Sequence, residues 1–143
     1  MKEVTLEIFA EIIQETGERQ VIDLITEGGI YEKDGAYFLT YDESEMSGMA
    51  GSRTVLKIED DGVTLNRMGL NRSKMIFKLH APHNSIYHTP HGNFEMKIIT
   101  HSLDIKMDFI HSKGYLNMKY EMILEAMSQS ENTLSIKVRP SHA

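Results

Sequence analysis

Between residues 94 and 138 the apolar side chains fall on every second position, and no other feature of the chain constrains its fold so tightly. Phe94, Met96 and Ile98 alternate with Glu95 and Lys97. Leu103, Ile105, Met107 and Phe109 alternate with Asp104, Lys106 and Asp108. Leu116, Met118, Tyr120, Met122, Leu124 and Ala126 form the longest run, and Leu134, Ile136 and Val138 close the series. A period of two sends successive side chains to opposite faces of a strand, so each run predicts a strand with one buried and one wet face. The phase shifts once, between Ile98 and Leu103, which predicts a bulge or sharp bend near His101-Ser102.

The same pattern reaches back to the start of the chain. Val4, Leu6, Ile8, Ala10 and Ile12 predict a first strand, and Thr16-Gly17-Glu18-Arg19 a turn. A second strand over residues 20–26 is expected to break or bend at Gly28-Gly29. Lys33-Asp34-Gly35 is a hairpin signal, because Asp-Gly tolerates the positive φ of tight turns, and it leads into Tyr37, Leu39 and Tyr41. Residues 44–52 are small and read as a loop. Thr54, Leu56 and Ile58 pass through Asp60-Asp61-Gly62 to Val63, Leu65 and Arg67, and Asn71-Arg72 turns the chain into Met75, Phe77 and Leu79. Residues 81–85, Ser112-Lys113-Gly114 and Ser130-Glu131-Asn132 read as further turns. No apolar stripe of helical period persists. Eight to ten strands with short polar turns predict an all-β fold, a closed antiparallel barrel in a single domain over residues 1–143, with a two-sheet sandwich as the alternative.

Composition narrows the function classes. The chain has 143 residues and a net charge of -6, a balance that argues against a phosphate-binding surface and so against a nucleic-acid partner. With no tryptophan and 8% aromatics, a stacking platform for single strands is also disfavoured. There is no cysteine, which removes disulfides, thiolate zinc sites and a thiol nucleophile together. The first residues carry Glu3, Glu7 and Glu11 and lack a signal-peptide core, and no window approaches the roughly 20 apolar residues of a membrane helix. The expectation is a cytoplasmic protein with no membrane partner.

Three sets of residues could carry chemistry. Arg67 shares a strand face with Val63 and Leu65, so parity points its guanidinium inward, where it needs carboxylate, carbonyl or ligand oxygens. It can serve as an anion clamp, or it can pair with a structural acid such as Glu43. Met75, Met96, Met107, Met118 and Met122 occupy inward positions among the 10 methionines. A flexible, polarisable side chain suits a soft-walled cavity as well as ordinary gap filling. His80-x-x-His83 and His88-x-x-His91 have the chemistry of metal ligands, with Glu95 as a possible oxygen donor. Residues three apart on a strand face opposite sides, so turns at Pro82 and Pro90 would have to bring the rings together, and exposed turn histidines are the simpler reading.

Tyr41-Asp42-Glu43, Arg67-Met68-Gly69, Tyr87-His88-Thr89-Pro90-His91-Gly92, and Met96 with Thr100 resemble, in order and over nearly the whole chain, the pattern of the YwiB-like family of small bacterial proteins. The resemblance implies a calycin-like barrel of the lipocalin and fatty-acid-binding class and implies no activity. In that family the position of His91 is more typically aromatic and the histidine cluster is not part of the pattern, which counts against a metal. The reading that joins these lines is a barrel binding a small hydrophobic or amphipathic anionic ligand, without a cofactor. Arg67 and Glu43 would meet its head group, Tyr41, Met75, Met96, Met118, Tyr120 and Met122 would line the wall, and the 44–52 loop would gate the mouth. A filled barrel acting as a homodimer through Phe9, Ile13, Ile99 and Ile123 or a strand edge is the alternative, and a rim enzyme built from Glu43, Arg67 and the histidines is the third reading.

Overall fold

The alternating runs become the strands of one sheet. The computed structural model describes residues 1–47, 49–125 and 128–141. Its strands are β1 (Lys2–Gln14), β2 (Arg19–Lys33), β3 (Ala36–Asp42), β4 (Ser52–Glu59), β5 (Gly62–Gly69), β6 (Ser73–Phe77), β7 (His83–Thr89), β8 (Gly92–Asp108), β9 (Lys113–Leu124) and β10 (Ser128–Pro140). Their order across the sheet is β6-β5-β4-β3-β2-β1-β10-β9-β8-β7, and every ladder between neighbours is antiparallel. Each strand therefore lies beside its chain neighbour, and β1 also ladders with β10 from Val4↔Pro140 to Gln14↔Ser130. The result is a nearly closed barrel of ten strands, not a sandwich.

Closure is completed at β6 and β7 by isolated bridges rather than by a ladder. Arg72 and His88 exchange two backbone hydrogen bonds of 2.8 and 2.7 Å, and Leu79 bridges Thr100. Inward side chains fill one end of the barrel solidly: Val4, Leu6, Leu39, Leu56, Phe77, Leu116 and Met118 are all fully buried. Burial of each such side chain contributes about 1.5–3 kcal/mol.

Several local expectations hold. Asp34 and Gly35 have φ of +52° and +80°, as a two-residue turn with positive φ at both positions requires. The register of β8 on β9 slips between Thr100 and Ser102, so His101 is the extra residue of a bulge. Others are corrected. β2 does not end at Gly28-Gly29 but runs through it to Lys33. Gly28 marks the point where β3 begins to lie alongside, since a Cβ there would sit 2.5 Å from the Thr40 carbonyl. Strand β7 replaces most of the turn expected over residues 81–85. Its apolar pattern is inverted: His83, Ser85 and Tyr87 face inward opposite Ile98, Met96 and Phe94, while Ile86 is exposed.

The turn expected at Ser130-Glu131-Asn132 lies inside β10, and the chain reverses after Leu124 instead. Ser130 and Asn132 are buried inward residues, joined by a 3.0 Å hydrogen bond from Asn132 Nδ2 to Ser130 Oγ. Ala126, expected to extend the preceding run, lies outside the described residues. The β8–β9 turn precedes its expected place: Phe109 leaves β8 and stacks on Tyr37 with ring centroids 3.6 Å apart. Gly114 follows with φ +148°, where a Cβ would overlap the Lys106 carbonyl.

Candidate functional site

Ten strands enclose a wider interior than eight, and one half of this interior is open. A cavity of about 400 Å³ lies at the end of the barrel away from the filled core, within the range of roughly 300–1,000 Å³ typical of small-molecule sites. Its wall combines an apolar band with a small polar cluster. Ile8, Ala10, Ile22, Leu24, Met75, Met96, Met122, Leu124 and Leu134 form the band. Tyr41, Glu43, Arg67, Ser73 and Tyr120 form the cluster, and Ser47 and Met49 reach the cavity from the β3–β4 connection.

Strand parity does place Arg67 inward. Its side chain is 13% exposed, and that of Glu43 is 4% exposed. Arg67 Nε lies 3.9 Å from Glu43 Oε2, an ion pair without a hydrogen bond. Nε is buried and has no hydrogen-bond partner among the described residues. The same carboxylate oxygen is held by Thr54, whose hydroxyl donates to Oε2 at 3.0 Å. Thr54 and Ser73 are the two cross-strand partners of Arg67, on β4 and β6. Ser73 Oγ is also buried without a partner among the described residues. Unpaired polar atoms at such depth are costly, and here two of them sit on directly opposed residues facing the same space.

The two tyrosines are hydrogen-bond donors over the whole physiological range. Burial holds the Tyr41 hydroxyl well above its ordinary pKa, and the nearby Glu43 charge adds to the effect. Burial pushes Tyr120 up to about 12, against the opposing pull of Arg67. A tyrosine whose folded pKa exceeds its unfolded value of 10.0 binds more protons in the folded state between those limits. Its contribution is complete below pH 10 and is lost as pH rises toward 12. Tyr120→Phe is therefore expected to flatten the alkaline fall in stability by up to about 1.4 kcal/mol per pH unit in that window. Urea unfolding from pH 9 to pH 12 checks this, and an unchanged slope in the variant would refute it.

Of the residues expected at the site, Tyr41, Glu43, Arg67, Met75, Met96, Tyr120 and Met122 line the cavity. Met118 does not: it is fully buried in the filled end, because the long β9 run spans both halves of the barrel. Sequence reasoning missed Ser73, Tyr87, Ser130 and Asn132. For Ser73 a signal was available in its hairpin position opposite Arg67. Tyr87 lines the cavity and accepts a 3.0 Å hydrogen bond from Asn71 Nδ2, which ties β7 to the turn before β6.

The histidines are not gathered. His80 sits in a turn with φ +62°, His88 Nδ1 lies 3.0 Å from Asn93 Oδ1, and His91 lies in the turn after β7. Among the described residues no group of three or more His, Cys, Asp or Glu side chains could hold a metal ion. The outward residues Phe9, Ile13, Ile99 and Ile123 are each partly buried rather than fully exposed.

Comparison with known proteins agrees with this architecture. The family model described as "Domain of unknown function (DUF1934)" matches residues 7–136. The chain is 27% identical over 119 residues to the uncharacterized beta-barrel protein YwiB of Bacillus subtilis (strain 168), covering 83% of this chain and 80% of that protein. The crystal structure of the ywiB protein from Bacillus subtilis matches with a TM-score of 0.79 and 24% identity, over 95% of this chain and 91% of that one. That structural likeness shows the barrel and its strand arrangement.

Proposed function

The chain belongs to the DUF1934 family, and we propose that it is a binding protein that holds one small amphipathic anion inside its barrel. The observation that carries this reading is the Arg67 guanidinium on the cavity wall, paired at 3.9 Å with Glu43 and with Nε left without a hydrogen bond. Arginine presents five N–H donors, and Ser73, Tyr41 and Tyr120 add hydroxyls around it. These donors suit a head group rich in acceptor oxygens, as a carboxylate is. The band of Ile, Leu and Met side chains takes the apolar body, and methionine adapts to bodies of different shape. The connection that carries Ser47 and Met49 lies at the mouth and gates entry.

Calorimetric titration with decanoate and with decanol separates the head group from the tail. Charged hydrogen bonds contribute about 1.5–3 kcal/mol, so decanoate is expected to bind at least about tenfold tighter than decanol. Equal affinities, or no binding of either, would remove the reading.

One observation favours a second reading, a homodimer formed by strand pairing. β2 ladders with β1 along Arg19–Ile30, but β3 covers it only from Gly28 to Lys33. Among the described residues, 19–27 thus form an edge with no strand neighbour on one side, and Val21 and Ile25 are exposed there. Such edges template pairing with another chain. Native mass spectrometry of the same samples distinguishes a bare dimer from a liganded monomer.

A further inference from the structure

We propose that Glu43 sets the charge of the ligand, restricting the cavity to head groups with one negative charge, such as a carboxylate, and rejecting dianions such as a phosphate monoester. This inference rests on the binding reading above and adds a selectivity rule to it. Arg67 and Glu43 are the two charged side chains among the described residues of the wall. Their charges cancel, and the other polar side chains of the wall, among them Ser73, Tyr41, Tyr120, Gln14, Gln20 and Asn132, are neutral. A monoanion therefore brings the site to one net negative charge, with hydroxyl donors to solvate it. A dianion brings it to two, beside a buried carboxylate, where like charges a few ångströms apart repel more strongly than in bulk water.

Glu43 is fixed in a position from which it acts on whatever Arg67 binds. Its carboxylate is 4% exposed, 3.9 Å from Arg67 Nε, and anchored by the 3.0 Å hydrogen bond from Thr54. Thr54 is fully buried and lies directly across the ladder from Arg67. The carboxylate cannot swing into bulk water without leaving that hydroxyl. It lies beside Nε without hydrogen bonding to it, so an anion that Arg67 binds sits close to the Glu43 carboxylate. The acid keeps Arg67 compensated when the cavity is empty, and it subtracts from the attraction the arginine offers to any anion.

Glu43→Gln keeps the shape, and its amide oxygen can still accept the Thr54 hydrogen bond. Removal of the charge favours a dianion about twice as much as a monoanion. Titration of both proteins with decanoate and decyl phosphate at about pH 8, where a phosphate monoester carries close to two charges, reads the effect. Wild type is expected to prefer decanoate, and the ratio of decyl phosphate to decanoate affinity is expected to rise about tenfold or more in Glu43→Gln. An unchanged ratio, with decanoate still bound, overturns the selectivity rule and leaves the binding reading intact. Failure of wild type to bind either probe removes the binding reading itself. If Glu43→Gln does not fold, the wild type alone decides. Its affinity for decyl phosphate is expected to fall as the second phosphate proton leaves above about pH 6, while decanoate affinity stays flat. A phosphate affinity that holds or rises over that range overturns the proposal.

Discussion

Replacement of Phe77 by alanine is expected to destabilise the barrel by about 3–5 kcal/mol, the cost of truncating a fully buried aromatic side chain. The upper part of that range is the more reasonable figure here because of where the ring sits. Phe77 ends β6, whose outer edge forms no ladder with β7 among the described residues; the seam is closed by the Arg72–His88 bridge just before β6 and the Leu79–Thr100 bridge to β8 just after it. The seam is therefore held closed largely by side chains, and Phe77 is the largest of those fully buried. Its ring also meets Tyr120 edge-on, with centroids 4.8 Å apart and planes at 65°. Such a pair is worth a further ~0.5–1.5 kcal/mol beyond area burial. Truncation would leave a void behind Tyr120 and loosen one wall of the cavity. Urea unfolding gives the stability change, and a loss below about 1 kcal/mol would contradict this account of the seam. Native-state hydrogen exchange should also show β6 and β7 opening first in the variant, since they have the fewest interstrand hydrogen bonds to hold them.

How far the sequence reveals this fold depends on whether a residue serves the core or the cavity. In β9 the inward Leu116 and Met118 are apolar because the space they fill is solid, and period two identifies them at once. In β10 the inward Ser130 and Asn132 face an opening, and polar side chains are stable there. Their composition matches that of a turn, which is why the strand start is misplaced. The same holds in β7, where Tyr87 faces inward and Ile86 faces solvent, so the alternation has the wrong sign. Departures from the apolar pattern thus cluster on the strands that border the cavity. Arg67 was legible because it stands at the third inward position of a short, clear hairpin, two residues from Leu65. Its pairing with Glu43 was legible only as one option, since the acid lies beyond the end of β3 where strand parity no longer applies. The barrel itself, its bulge at His101 and its closing strand followed from local pattern. The unequal closure did not, because a gap between β6 and β7 depends on strand lengths all round the ring.

Arg67→Met is expected to cost about 3 kcal/mol of stability, and most of that loss should return when Glu43→Gln is added. Removal of the arginine leaves a 4% exposed carboxylate held by the Thr54 hydroxyl. Stranding one member of a buried ion pair typically costs about 3–5 kcal/mol. The low end applies because Arg67 borders the cavity, so water can reach part of the site. Replacement of both charges by neutral groups of similar volume is often neutral or stabilising by about 1–4 kcal/mol, since the desolvation of two ions is then avoided. The four proteins form a double-mutant cycle by urea unfolding, with an expected coupling of at least about 2 kcal/mol between residues in direct contact. A single variant that costs less than about 1 kcal/mol, or a double variant as unstable as the sum of its parts, would show that the pair does not behave as a coupled buried charge pair. The expected result also bears on function. If the neutral double variant is as stable as the wild type, folding does not require these charges. A charge pair that folding does not require, placed beside unpaired donors in an enclosed cavity, is explained by what enters that cavity. The double variant should then keep the barrel and lose the preference for decanoate over decanol.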